Sequence, residues 1–357
     1  MQISSRDLSR SARSAAPLAG HARPTKHASP RRRNIPTRNE TGASRSRIIA
    51  AYAAIYIIWG STYLGIRFAI ESIPPFVMGG VRFLIAGTVL YVWMQLRQGT
   101  ERPTFAQARN AAIVGAFLIL GGNGGVVWAE QFVPSGMTAL LVAILPFWMV
   151  LIDWVRPGGK RPSNAVMIGL MIGLAGLVIL IGPSALNPSA ASEAAASKGD
   201  GVVLVGAIVL ILASLSWAIG SVFSQQAAMP RSAFLATGIE MLAGGAMMLL
   251  VATFRGELGE VDVSAITTRS WIAFAYLTTI GSLVGFTAYI WLLKVEPPSR
   301  VATYAYVNPV VAVFLGWALA GEDLSLRTAI AAAIIIAAVA IITTARTARR
   351  ESSPKDS

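Results

Sequence analysis

The sequence contains no cysteine, and its only two histidines, His21 and His27, sit near its start. Disulfides, thiolate metal sites and cysteine nucleophiles are therefore excluded. A histidine proton relay or a His-ligated metal is excluded everywhere beyond residue 27, and no cofactor is expected. Charge is scarce as well: Asp, Glu, Lys and Arg make up 13% of the 357 residues, against 54% hydrophobic. A soluble domain of this length needs more charge to cover its surface. The net charge of +13 is also unevenly placed, because 11 of the 30 Lys and Arg lie in the first 47 residues. No phosphate-binding loop is present, since Gly158-Gly159-Lys160 runs into Arg161 and lacks both the spacing and the Ser/Thr. These absences argue against a nucleotide-driven pump. They also argue against a membrane enzyme, which needs clustered acids, bases or metal ligands.

What is abundant is apolar sequence in runs of about 20 residues, the length that crosses a hydrocarbon core. The 33 glycines suit helices that approach closely in lipid. Spans are expected near 48–69, 74–96, 109–130, 134–155, 164–183, 201–225, 232–254, 271–294, 299–320 and 325–345. Short connections marked by Pro74-Pro75, Pro103, Pro134, Pro157, Pro162, Pro230 and Pro297-Pro298 separate them. The one long loop, 184–200, is Ala- and Ser-rich and divides the chain into halves 48–183 and 201–345. Residues 1–47 form a basic, Ser-, Pro- and Ala-rich segment expected to be a disordered cytoplasmic tail beside anionic lipid, not a nucleic-acid binder; 346–357 is a second cytoplasmic tail. With the N-terminus inside, cytoplasmic loops and ends beyond the tail carry 13 Lys and Arg against 5 on the opposite side. An odd span count would scramble that asymmetry. The fold class is thus an all-α polytopic membrane protein of ten transmembrane helices with both termini cytoplasmic.

The halves also resemble each other. An offset of 158 places Trp59 on Trp217, Arg82 on Glu240 and Gly87 on Gly245; an offset of 163 pairs Trp128 with Trp291, Pro134 with Pro297 and Pro146 with Pro309. Five spans per half is an odd number, so the second half must enter the membrane inverted. Inverted repeats are the signature of alternating-access transporters with a site near the midplane.

The segments WGSTYLGIRFAIESIPPFVMGGVRFLIAG, GGNGGVVWAEQFVPSGMTALLVAILPFW, SLSWAIGSVFS and YAYVNPVVAVFLGWALAGEDLS resemble the EamA family of the drug/metabolite transporter superfamily, in its bacterial inner-membrane exporter-like branch. The resemblance covers about 48–345. It implies two EamA repeats, a central cavity and export of amino acids, metabolites or toxic compounds, and leaves the substrate open. The basic tail departs from the pattern.

Charges within hydrocarbon are costly and need partners or wet surroundings. Arg82 and Glu240 lie at symmetry-related depths, so they either bracket a cavity and meet substrate charges or form a buried ion pair that orders the halves. Gly121-Gly122-Asn123-Gly124-Gly125 should weaken span 3 and let a backbone or ligand approach, with Asn123 as helix–helix glue or substrate contact. Glu130 is a boundary carboxylate or an outer gate and proton site; Glu240 is the other candidate coupling group. Pro146 and Pro309 should break spans 4 and 9 at matching places, a pointer to a binding site. Near these lie Trp148, Tyr304, Tyr306 and Asn308, and with Trp59, Tyr63, Trp128, Trp217 and Tyr289 they are candidates to line a cavity for aromatic or cationic solutes. Gly169 and Gly173 form a GxxxG face suited to close packing, within the chain or in a homodimer.

Overall fold

The computed structural model describes residues 44–97, 99, 102–155, 161–181, 200–295, 301 and 304–352. The tail up to residue 43, the central loop 184–199 and residues 353–357 lie outside the described residues. Among the described residues every regular element is helical. The helices are α1 (Arg45–Ala69), α2 (Pro75–Leu96), α3 (Phe105–Ala129), α4 (Ser135–Val142), α5 (Leu145–Val155), α6 (Asn164–Ile181), α7 (Asp200–Gln226), α8 (Ala233–Phe254), α9 (268–295), α10 (Tyr304–Ala320) and α11 (Leu326–Ser352). Seven segments are long and apolar enough to cross a membrane: α1, α2, α3, the α4–α5 pair, α7, α8 and α9. Shorter apolar stretches occupy Asn164–Leu180, Val307–Ala320 and Leu326–Ile342. Large apolar side chains such as Ile57, Leu96, Leu212, Leu250 and Phe314 are exposed, as expected of a surface that meets lipid.

Local chemistry starts these helices as the sequence dictates. Proline opens α2, where its missing N–H costs nothing. Thr104, Ser232 and Thr267 accept from the first-turn amides of α3, α8 and α9, and Thr104 with Gln107 forms a capping box.

The centre of the core is the crossing of α2 with α8. A Cβ added at Gly87 would lie 2.8 Å from Leu242 N and 3.0 Å from Gly238 O, and one at Gly245 would lie 2.9 Å from Gly80 O. Gly80 therefore faces Gly245 and Gly87 faces Gly238, so the two helices run antiparallel, backbone on backbone. Met78, Phe83, Met241 and Met248 close the space around the seam, all nearly or fully buried.

Two loops tie the end of one helix to the start of another. Gly256 (φ 79°) and Gly321 (φ 65°) adopt left-handed backbone that glycine alone accepts easily. Each is followed by a glutamate. Glu257 Oε2 accepts from Phe76 N at 2.8 Å and Val77 N at 3.3 Å, and so caps α2. Glu322 accepts from Ser135 N and Oγ, both at 2.7 Å, and from Gly136 N at 2.9 Å, and so caps α4. Both capped helices begin after a proline, whose side chain offers no acceptor, so the caps come from elsewhere in the chain.

The GxxxG face of α6 is used inside the chain. A Cβ at Gly169 would meet Ile342 at 2.8 Å, and one at Gly173 would meet Ala338 at 3.3 Å, both on α11. That face is covered and is not a free surface for a second copy.

Candidate functional site

A central cavity lies between the halves and is lined by residues of both. The first half contributes Trp59, Tyr63, Arg82 and Asn123; the second contributes Ser214, Trp217, Phe286, Tyr304 and Asn308. Seven of the residues singled out in the sequence as candidates to meet substrate or line a cavity, Trp59, Tyr63, Arg82, Asn123, Trp217, Tyr304 and Asn308, thus share one space.

Two tryptophans are seated by one reciprocal device. A Cβ added at Gly122 of α3 would come within 2.7 Å of the Trp217 ring, and one at Gly285 of α9 within 2.6 Å of Trp59 Nε1. Each indole therefore packs against a glycine of the opposite half. Both glycines fall in or beside stretches of π-helix, Ala116–Asn123 in α3 and Leu277–Val284 in α9. A π turn leaves carbonyls poorly matched to amides, and polar side chains serve them. Asn123 Nδ2 donates to Leu118 O at 3.2 Å, and Ser282 Oγ donates to Leu277 O at 3.1 Å, each reaching back five residues. The glycine run expected to weaken span 3 does so by widening the helix. Asn123 spends at least one donor on its own helix while it lines the cavity.

Arg82 is 4% exposed, and among the described residues that line the cavity it is the one Lys, Arg, Asp or Glu. Its Nε donates to Ser282 Oγ at 3.0 Å, and its guanidinium lies 4.7 Å from the Phe83 ring centroid. Its Nη1 is buried without a hydrogen-bond partner. The aromatic wall is layered: Trp59 touches Phe286, Tyr289 and Tyr304 at centroid distances of 5.4, 5.1 and 5.1 Å. Asn308, 7% exposed, leaves Oδ1 unpartnered.

Several expected residues lie elsewhere. Glu240 is half-buried, does not line the cavity and forms no ion pair with Arg82. The seam explains this, because its register sets residue 82 opposite 243, and the Glu240 backbone is turned against Gly115 of α3. Trp128 packs edge-on against Phe132 at 5.3 Å and is not a cavity residue. Tyr289 stands behind Trp59 in a second layer. Glu130 is not a solvated boundary group: it is fully buried, and neither carboxylate oxygen has a hydrogen-bond partner. Its carbonyl accepts from Arg67 Nη1 at 2.7 Å. Near Pro146 the span does break, with α4 ending at Val142 and α5 starting at Leu145. Around Pro309 it does not, since α10 runs unbroken from Tyr304 to Ala320. There the proline removes one bond close to the helix start, and Gly60 packs beside Asn308 O and Val311 and supports the rod.

The sequence reading overlooked Ser214, Ser282 and Phe286. Ser214 accepts from Trp148 Nε1 at 3.1 Å and donates to Ile211 O, fixing an aromatic residue beside the cavity. Ser282 offered a usable signal, being a small polar residue in an apolar run about as far into α9 as Asn123 is into α3. The two capping glutamates were also missed. Each follows a glycine at a helix end, while an uncapped, proline-led helix start lies elsewhere in the sequence.

Known proteins resemble this chain over most of its length. The EamA-like transporter family matches residues 46–182 and 204–344, one match in each half. The uncharacterized inner membrane transporter YedA of Escherichia coli (strain K12) is 38% identical over 300 residues, covering 83% of this chain and 90% of YedA. The uncharacterized transporter YoaV of Bacillus subtilis (strain 168) is 26% identical over 289 residues, 81% of this chain and 94% of YoaV. A solved crystal structure, 22% identical, has the same fold with a TM-score of 0.56 over 84% of this chain and 99% of that one. With its several membrane-crossing helices and these matches, the chain is a multi-pass cell-membrane transporter and belongs to the EamA-like transporter family.

Proposed function

We propose that the chain is a proton-coupled secondary transporter that exports small metabolites, amino acids or toxic compounds across the cytoplasmic membrane by alternating access. In this reading α4 and α5 form one broken span, and α6, α10 and α11 add three to the remaining six, giving ten. The spans group into two inverted five-helix repeats, with both termini in the cytoplasm where the positive-inside rule puts them. The single observation that carries the reading is the cavity built reciprocally from both halves, each half seating the other's tryptophan on a glycine beside a π-helical turn. Irregular helix around a cavity at the junction of two repeats is the architecture that rocking transporters use. Glu130 is the proposed proton carrier, because it is wholly buried and free of competing hydrogen bonds; Glu240, outside the cavity, is the weaker candidate. Catalysis plays no part in this reading.

Everted membrane vesicles containing the protein are expected to accumulate substrates from a panel of amino acids, organic acids and toxic cations, and an uncoupler is expected to abolish that uptake. Uptake that survives the uncoupler and follows only the solute gradient would replace the coupled exporter with a passive facilitator.

A further inference from the structure

We propose that the central cavity selects solutes carrying a single carboxylate on an aromatic or bulky apolar body, with Arg82 as the residue that takes the carboxylate. This deepens the transporter reading of the same cavity and rests on it.

The case starts from charge balance. Arginine stays protonated in proteins, and a buried cation needs an opposite charge and hydrogen-bond acceptors for its donors. Within the protein Arg82 finds only part of this. Ser282 accepts from Nε, Phe83 offers a ring face, and Nη1 has no partner. Among the described residues no carboxylate forms an ion pair with it, and Glu130 keeps both oxygens unbonded. The helix partner that the repeat offers, Glu240, is held away by the register of the α2–α8 seam. Arg82 also forms part of the cavity wall, so an anion there would supply the missing acceptor once the side chain turns to present Nη1, which is buried as it stands.

The same wall sets the rest of the ligand. Among the described residues no second cation lines the cavity, so a single negative charge is matched and a phosphate dianion is not. A carboxylate fits the forked donors of guanidinium. Trp59, Trp217, Tyr304 and Phe286 offer flat apolar area for the body of the ligand. Asn308 Oδ1, buried and unpartnered, accepts from an N–H or O–H of the same molecule. Aromatic rings alone would equally suit a cation; the buried arginine among them repels one.

The test is a charge series on one body, using the purified full-length protein in detergent. Quenching of tryptophan fluorescence reports binding, since Trp59 and Trp217 line the cavity. The probes are 3-phenylpropionate, its neutral amide 3-phenylpropanamide, and the cation phenethylamine. Expected is binding of 3-phenylpropionate about 10- to 100-fold tighter than of the amide, as for one charged hydrogen bond, with the amine weaker still. Arg82→Gln should bring anion and amide to equal affinity, and Arg82→Lys should restore part of the preference. Equal affinities in the native protein, preference for the amine, or no binding of any probe would overturn the proposal, as would an anion preference that survives in Arg82→Gln. The native series decides even if a variant does not fold. Charge-selective binding without flux would sink only the transport reading, and flux without charge selectivity only this one.

Discussion

The two halves of the molecule build the cavity with the same frame and different chemistry. Trp59 on Gly285 and Trp217 on Gly122 are counterparts, as are Gly80–Gly245 and Gly87–Gly238 across the seam. At the matching positions 82 and 240, however, one half holds an arginine in the cavity wall and the other a glutamate outside it. Backbone approach tolerates no Cβ on either side, so both copies keep glycine. The side chains that line the single central cavity carry no such steric constraint and are free to diverge. Symmetry is a property of the scaffold here, and asymmetry is a property of the site.

The comparison breaks most severely at the seam. Gly87→Leu places a side chain against the backbone of α8, where a Cβ alone already lies 2.8 Å from Leu242 N. Overpacking typically costs about 1–3 kcal/mol, and rigid backbone makes this site worse. Expected is loss of monodisperse protein on size-exclusion chromatography, with Gly245→Leu equally damaging.

The charged positions test the asymmetry. Arg82→Gln is expected to reduce vesicle uptake by about 10-fold or more, the effect of one charged hydrogen bond. Glu240→Gln should leave it within about 2-fold, as for a side chain outside the site. Equal losses would mean that position 240 contributes as position 82 does.

The tryptophan seats should behave alike. Gly122→Val and Gly285→Val each push an indole off its glycine and into the cavity. Both should shift the tryptophan emission spectrum and weaken ligand binding by similar factors. A change in only one would show that the halves are not equivalent even as scaffold.

The smallest effects belong to the loop caps. Glu322→Gln and Glu257→Gln each replace a carboxylate at a helix start, and each should cost about 1 kcal/mol, read as a lower melting temperature in detergent. Glu71→Ala, which removes an exposed pair with Arg269 at 3.3 Å, should change that temperature least, since such pairs contribute about 0–1 kcal/mol.

By itself the sequence determined the helical membrane class, the two related halves and some of the glycines, such as those of the 121–125 run and Gly169 with Gly173, where helices approach closely. Those properties are local or periodic: hydrophobic length, proline and glycine placement, and recurrence at offsets of 158 and 163. The aromatic and polar membership of the cavity was also largely legible, because Trp59, Tyr63, Arg82, Asn123, Tyr304 and Asn308 are unusual in apolar runs. Rotation and register were not. They separated Arg82 from Glu240, kept Trp128 out of the cavity lining, set Tyr289 behind Trp59, and buried Glu130. They also kept α10 whole through Pro309 while the chain opened near Pro146. Only the tertiary structure decided these points, because which face a helical residue presents depends on how its neighbours pack. That packing is set by contacts such as Gly87 on Gly238, whose residues lie far apart along the chain.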